Sequence, residues 1–261
     1  MKTPLVTLVI PAYNESARLG QSLDQLLTYL NAQPYASEVV LVDDGSVDDT
    51  AEVAQRYFDS HANAQVATRV LSYQPNRGKG YAVRQGLLAA RAGVAVFSDA
   101  DLSTPITELP KLLEPLLAGQ YDVVFGSRAL DRSLIGVHQS WMREQSGRLF
   151  NLIMRLATGL PYADTQCGFK AFRLAAMRPL VEGAVLDRFG FDVELLYLAH
   201  RAGLRLQELP VAWNDAAGSK VSMLGGLGGF RELQLLRGRA RRGFYNDTLR
   251  QARAIATAAS Q

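Results

Sequence analysis

The run Val94-Ala95-Val96-Phe97 is apolar and rich in β-formers, short enough for a buried strand, and it stops abruptly at Ser98-Asp99-Ala100-Asp101. A buried strand has no use for acids. At its end, however, alternate positions of an extended chain point to one side, so Asp99 and Asp101 converge. Parallel α/β sheets bind ligands in the crevice outside those carboxyl ends. Two convergent carboxylates there suit a hard divalent cation, Mg²⁺ or Mn²⁺, with a diphosphate completing its shell. The competing reading is that either acid caps the next helix. Asp-x-Asp alone is a weak signal, so the rest of the chain has to decide.

The same pattern recurs upstream. Leu5 to Ile10 reads as a strand and leads into Pro11-Ala12-Tyr13-Asn14-Glu15, where a dinucleotide-binding fold would carry G-x-G-x-x-G; no such motif stands there. Leu19, Leu23, Leu26, Leu27 and Leu30 then recur at helical spacing. Glu38 to Val42 is a second strand ending in Asp43-Asp44-Gly45-Ser46, and Ser46 with Asp49 resembles a capping box opening a helix to about Phe58. Arg69 to Tyr73 is a third strand, Asn76-Arg77-Gly78-Lys79-Gly80 a flexible basic turn, and Ala82, Val83, Gly86, Leu87 and Ala90 mark the next helix. Strands alternating with helices across short connections predict an α/β fold: a mostly parallel sheet covered by helices on both faces. A helix over 107–117 and a strand Tyr121 to Phe125, ending in Gly126-Ser127-Arg128, continue the rhythm.

Beyond Arg128 the rhythm breaks. Trp141, Met142, Leu149, Ile153 and Leu156 alternate with Arg143, Arg148 and Arg155, an amphipathic helix suited either to a membrane interface or to burial against the sheet. The net charge of +3 hides an asymmetry. From Phe230 onward seven arginines stand against Glu232 and Asp247, a balance of +5, so the body is slightly acidic and the tail basic. Such a tail suits anionic lipid or nucleic acid, or simply a solvated charged helix. The glycine run 225–229 is expected to act as a hinge, giving one domain over 1–224 and a hinged basic tail over 225–261.

A single cysteine, Cys167, excludes a disulfide framework and fits a reducing compartment; with no catalytic histidine beside it, it reads as a small buried side chain. His61, His138 and His200 lack metal-ligand spacing, and Trp213 reads as core. Neither a signal peptide nor a run of about 18 apolar residues is present, so the expectation is a cytoplasmic protein, soluble or peripheral at the membrane.

Taken together, Val9 to Glu15, Val42-Asp43-Asp44-Gly45-Ser46, Asn76 to Gly80 and Asp99-Ala100-Asp101 resemble, in order and spacing, the family 2 glycosyltransferases of GT-A fold. Gly126-Ser127-Arg128, Asp164 to Lys170, Phe191-Asp192-Val193-Glu194 and Gly218-Ser219-Lys220 resemble its dolichyl-phosphate glucosyltransferase and mannose synthase branch, over roughly residues 5–222. The resemblance implies that Pro11, Tyr13, Glu15, Asp43 and Asp44 surround the nucleotide and that Lys79 approaches it. It further implies that Asp99 faces ribose or metal, that Asp101 ligates the metal with Ser103 as a weaker neighbour, and that Arg128, Lys170 and Lys220 face phosphates.

The implied reaction is an inverting, metal-dependent transfer of a hexose, glucose from UDP-glucose being favoured over mannose from GDP-mannose, to a polyprenyl phosphate. Its partners would be the nucleotide-sugar, the lipid phosphate and an anionic membrane surface, and no nucleic acid. Asp192 and Glu194 keep a second reading open, a hydroxyl acceptor with one of them as general base; Asp192 as a helix cap is the structural alternative. An inactive membrane-surface adaptor is the non-enzymatic reading.

Overall fold

The computed structural model describes residues 3–61, 63–137, 141–215 and 223–258. Strands β1 (Val6–Ala12) and β2 (Ser37–Asp43) have every residue buried, as parallel strands covered on both faces must. With β3 (Val66–Ser72), β4 (Val94–Ser98), β5 (Val123–Ser127), β7 (Phe169–Arg173) and β8 (Leu206–Pro210) they form a seven-stranded sheet in the order β3-β2-β1-β4-β7-β5-β8. All neighbouring pairs are parallel except those of β7, which runs antiparallel to β4 and β5. The chain builds outward from β1 to β3, then returns to lay β4 on the other side of β1. Loops leaving β1 and β4 therefore diverge, and they leave a crevice at their carboxyl ends. A short pair, β6 (Ile135–Val137) with β9 (Trp213–Asn214), lies apart from this sheet.

Side chains alternate across the strands, and each face has its own core. Leu8 and Ile10 point to the face covered by α1 (Leu19–Asn31), α2 (Thr50–Ser60) and α4 (Leu109–Leu117). The five leucines spaced as a helix are the buried residues of α1. Val9 and Phe97 point to the other face, with α3 (Lys79–Ala89), α6 (Leu174–Gly183) and α7 (Phe191–Arg201). Helix α3 lies so close that a Cβ on Gly86 would sit 2.2 Å from Val9 Cγ1, so only glycine fits.

Two local expectations change. The capping box does not form: α2 begins at Thr50, whose N–H donates to Asp48 Oδ1 at 3.1 Å. Ser46 Oγ instead accepts from Asn14 N at 2.9 Å, which ties the loop after β2 to the loop after β1. Asp192 is no cap either, since α7 begins at Phe191 behind Gly190.

The expected hinge is helical. Residues 225–229 lie inside α8 (Met223–Arg241), which is followed by α9 (Asn246–Ala258). Leu233, Leu236, Tyr245 and Ala252 of this tail are buried in the same core as Val9 and Phe97. Tyr245 donates its hydroxyl to Glu194 Oε1 at 2.6 Å, and α9 lies so close to α6 that a Cβ on Gly183 would meet Thr248 Oγ1 at 2.4 Å. Apolar spacing in the tail buries one side of it, and the arginines that dominate its charge conceal that spacing in the sequence. In α5 (Trp141–Thr158), Met154 is buried while Leu152 and Leu156 are exposed; Trp141, Met142, Arg143, Arg148 and Leu149 lie outside the described side chains.

Leu236 is 1% exposed. Leu236→Ala is expected to lower unfolding stability by about 2–5 kcal/mol, the cost of a cavity in a shared core. Urea denaturation checks this, and an independently hinged tail would leave the transition of the body where it was.

Candidate active site

The loops leaving β1, β2 and β4 and the start of α3 enclose a cleft of about 360 Å³. It is lined by Pro11 at the end of β1, Tyr13, Glu15 and Arg18 after it, Asp44 after β2, Asn76, Gly78 and Lys79 at α3, and Asp99 to Asp101 after β4. Arg188 and Phe189, from the loop before α7, complete it.

The acids of β4 are held by a tight turn. Asp99 N donates to Gly168 O at 3.1 Å, Leu102 N to Asp99 O at 3.1 Å, and Ser103 N to Asp101 Oδ1 at 3.0 Å. Leu102 takes a left-handed backbone, φ 48°, to complete the turn. Ser103 thus orients Asp101 through its main chain. Gly168 makes room for the other acid: a Cβ there would fall 2.0 Å from Asp99 Oδ2. Lys79 Nζ lies 2.6 Å from Asp99 Oδ1. That ion pair buries Asp99 Oδ1 against the ammonium. Burial alone would weaken the charge on Lys79, but Asp99 and then Asp192 outweigh it and hold the ammonium above its usual basicity.

Asp44 builds the turn that delivers Lys79. Its Oδ1 accepts from Tyr73 Oη at 2.8 Å and Arg77 N at 2.9 Å, and its Oδ2 from Asn76 Nδ2 and Gly78 N, both at 2.8 Å. Four donors on one carboxylate fix the loop against the end of β2. Gly78, at φ 112°, turns the chain into α3. Asp43 lies deeper and accepts from Ser46 N and Ser72 Oγ, and it does not line the cleft. Glu15 at the cleft mouth is bound by Arg18 through both carboxylate oxygens.

The remaining candidates sit elsewhere. Lys170 is fully buried, donating to Asp192 Oδ1 and to Cys167 O. Burial raises the Asp192 carboxyl above its ordinary value, outweighing the attraction of Lys170 and then Lys79. Glu194, also fully buried, accepts from Val185 N, Leu186 N and Tyr245 Oη. Arg128 grips Asp164 with Nε at 2.7 Å and Nη2 at 3.0 Å, and its guanidinium carbon lies 5.6 Å from the centre of the half-buried Trp213 ring. Gly218-Ser219-Lys220 and His138 lie outside the described residues. Cys167 is buried, its thiol pushed up to about 11 chiefly by burial.

Behind the Arg128–Asp164 pair is a second cleft of about 390 Å³, lined by Ala129, Arg132, Asn151, Leu152, Arg155 and Ala163. Arg155 Nε is buried there without a hydrogen-bond partner. Leu152 and Leu156 are exposed on the adjoining helix.

Among the described residues no cluster of three or more His, Cys, Asp or Glu side chains is arranged around a metal. Asp99 and Asp101 offer two carboxylates on one turn, with Asp99 Oδ1 held by Lys79. That donor set fits Mg²⁺ or Mn²⁺ shared with substrate phosphates, since such ions are often held by one or two carboxylates plus a ligand. Arg18, Arg188 and Phe189 escape the sequence reading. The one local signal for Arg18 is its i,i+3 spacing from Glu15, and Arg188 and Phe189 reach the cleft by long-range folding that no local spacing signals.

The family model for Glycosyl transferase family 2 matches residues 7–180. The dolichyl-phosphate beta-glucosyltransferase of Drosophila melanogaster is 38% identical over 228 residues, covering 83% of this chain and 69% of that protein. The human protein of the same name is 34% identical, covering 84% of this chain and 70% of that protein. Among solved structures, glucosyl-3-phosphoglycerate synthase from Mycobacterium tuberculosis with phosphoglyceric acid superposes with a TM-score of 0.67 at 20% identity, covering 90% of this chain and 80% of that one. The same enzyme with Mn²⁺, UDP-glucose and phosphoglyceric acid gives 0.65, at 20% identity and the same coverage. At that identity the likeness is one of fold.

Asp164 is held down at about 2 because Arg128 overcomes the effect of its burial. A carboxyl depressed in the folded state adds stability that is present above its unfolded pKa, near 4, and lost as pH falls toward 2. The stability advantage of the native protein over Asp164→Asn should therefore shrink by on the order of 2 kcal/mol between pH 4 and pH 2. Urea midpoints across that range check it.

Proposed function

The chain belongs to glycosyl transferase family 2, and we propose that it transfers glucose from UDP-glucose to a dolichyl-type polyprenyl phosphate with inversion at the sugar carbon. The observation that carries the acceptor assignment is the fate of the two acids available as general base. Asp192 is locked on Lys170 and Glu194 on two backbone amides and Tyr245, and neither lines the cleft. A hydroxyl acceptor needs a base beside it. A lipid monophosphate, with a second pKa of about 6, is already largely dianionic and needs only cations. The names of the relatives in Drosophila and human point the same way.

In this reading the donor lies in the 360 Å³ cleft, its base against Pro11 and Tyr13. Asp99 and Asp101 would hold a divalent cation, which when bound withdraws charge from the leaving diphosphate. Lys79, Arg18 and Arg188 supply the remaining positive charge around that diphosphate. An acceptor phosphate oxygen attacks the anomeric carbon from the opposite side. The new carbon–oxygen bond forms as the bond to the diphosphate breaks, and the nucleoside diphosphate leaves with the electron pair. Inversion follows from a single displacement.

Arg128, one-third exposed beside Asp164, stands at the end of β5 near the second cleft. The Arg132 and Arg155 lining of that cleft and the exposed Leu152 and Leu156 suit a phosphate attached to a lipid. Among the described residues no helix is long and apolar enough to cross a membrane. In our reading the enzyme meets its acceptor at the cytoplasmic membrane face, with α5 and the basic tail toward anionic lipid.

Incubation with radiolabelled UDP-glucose, Mn²⁺ and polyprenyl phosphate should give a solvent-extractable, acid-labile glucolipid. Label found only on a sugar or small-molecule hydroxyl would overturn the acceptor assignment. Asp101→Asn should retain less than about a tenth of the turnover, a barrier increase above roughly 1.4 kcal/mol. Gly168→Ala, which drives a methyl into the Asp99 carboxylate, should lose activity comparably while Arg128 and its partner stay in place. A fully active Gly168→Ala enzyme would exclude Asp99 from the site.

A further inference from the structure

The loop carrying Arg188 and Phe189 into the cleft is suspended between two elements. On one side the N-terminal turn of α3 holds it: Tyr81 N donates to Asp187 O at 3.0 Å and Gly80 N to Arg188 O at 3.2 Å, with Arg84 ion-paired to Asp187. On the other side stands Glu232 of α8. Its Oε1 accepts from Arg188 N at 3.1 Å and its Oε2 from Gly190 N at 2.8 Å. Helix α7 begins behind Gly190, which has no side chain to satisfy the first amides of the helix. Glu232, from the C-terminal tail, takes the two amides just ahead of those, Arg188 N and Gly190 N, and so places negative charge beside the positive end of the helix.

The fit is close on both sides. A Cβ on Gly190 would lie 2.9 Å from Glu232 Cβ, and one on Gly80 would lie 2.6 Å from Leu186 O and from Phe191 Cβ. The loop therefore has little freedom to settle elsewhere while both clamps hold. Release of the Glu232 clamp leaves the amides of Arg188 and Gly190 without their acceptor and the two cleft side chains tethered from one end only.

We propose that Glu232 is a positioning residue for the donor: by docking α8 against this loop it sets Arg188 and Phe189 over the nucleotide-sugar, so that donor affinity depends on the C-terminal tail. The inference rests on the reading of the cleft as the nucleotide-sugar site. Glu232 itself does not line the cleft; it acts through the loop.

Calorimetric titration of UDP and GDP with Mn²⁺, together with donor KM and kcat, tests this on the full chain. Glu232→Ala should weaken nucleotide binding and raise donor KM by about tenfold, with kcat changed by less than about threefold, tenfold corresponding to about 1.4 kcal/mol. Glu232→Gln, which keeps one acceptor oxygen, should recover part of the loss. Because Glu232 acts through Arg188 and Phe189, the double variant Glu232→Ala/Arg188→Ala should lose less nucleotide affinity than the sum of the two single losses. Leu112→Ala on α4 serves as a control for general destabilisation, since Leu112 belongs to the core on the other face of the sheet.

Unchanged nucleotide affinity in folded Glu232→Ala, or a loss of equal size in Leu112→Ala, would overturn the positioning role. So would full additivity in the double variant. A wild-type protein that binds neither UDP nor GDP would instead bring down the donor-site reading, and this inference with it.

Discussion

A lysine ammonium 2.6 Å from a buried carboxylate oxygen, Lys79 on Asp99, is the contact at which the separate parts of the site meet. Neither partner is placed by its own strand or helix. Lys79 is delivered by a turn that Asp44 ties down with four hydrogen bonds, and Asp99 fits only because residue 168 has no side chain. Three strands and one helix terminus thus converge on one ion pair. Charges removed from water are costly unless paired, so such convergence has to be fixed by the fold before any ligand arrives.

The same rule divides the charged residues of the chain into two groups. Lys170 with Asp192, Arg128 with Asp164, and Glu194 with backbone amides and Tyr245 are satisfied within the fold. Lys79, Arg18, Arg188, Asp99 and Asp101 face the cleft. The first group holds β7, α7 and the loop before β7 in place. The second concentrates opposite charges around a space that suits a diphosphate and a divalent cation. The proposed transfer to a phosphate rests on this division, because an acid engaged in a buried pair has no proton-accepting role to offer a substrate.

The C-terminal helices belong to this arrangement as well. Leu236 and Tyr245 bury against the same core as β1 and β4, and Glu232 reaches the loop that roofs the cleft. A tail with a balance of +5 could have been a solvated appendage. Instead its apolar face is packed and its arginines lie toward the outside, where Arg253 donates to Arg201 O at 2.6 Å and Arg239 stacks near Phe244. Its positive charge and its structural role occupy different sides of the same helices.

By itself the sequence determined the alternation of strands and helices and the position of acids at strand ends, because burial on two faces and termination at a polar edge are local patterns with fixed periods. It also marked Asp99, Asp101, Asp44 and Lys79, since each stands beside the strand or turn that positions it. Only the tertiary structure decided which charges pair. Lys170 and Asp192 lie 22 residues apart and look in sequence like a phosphate ligand and a base, yet they neutralise each other. Arg188 and Phe189 enter the cleft only because α3 and Glu232 hold their loop from both sides, Glu232 standing 44 residues beyond Arg188. Glycines 225–229 lie within a helix rather than forming a hinge, even though glycine has low intrinsic helix propensity. Pairing between distant residues leaves no period or spacing in a single chain, so the closing of the site had to be read from the fold.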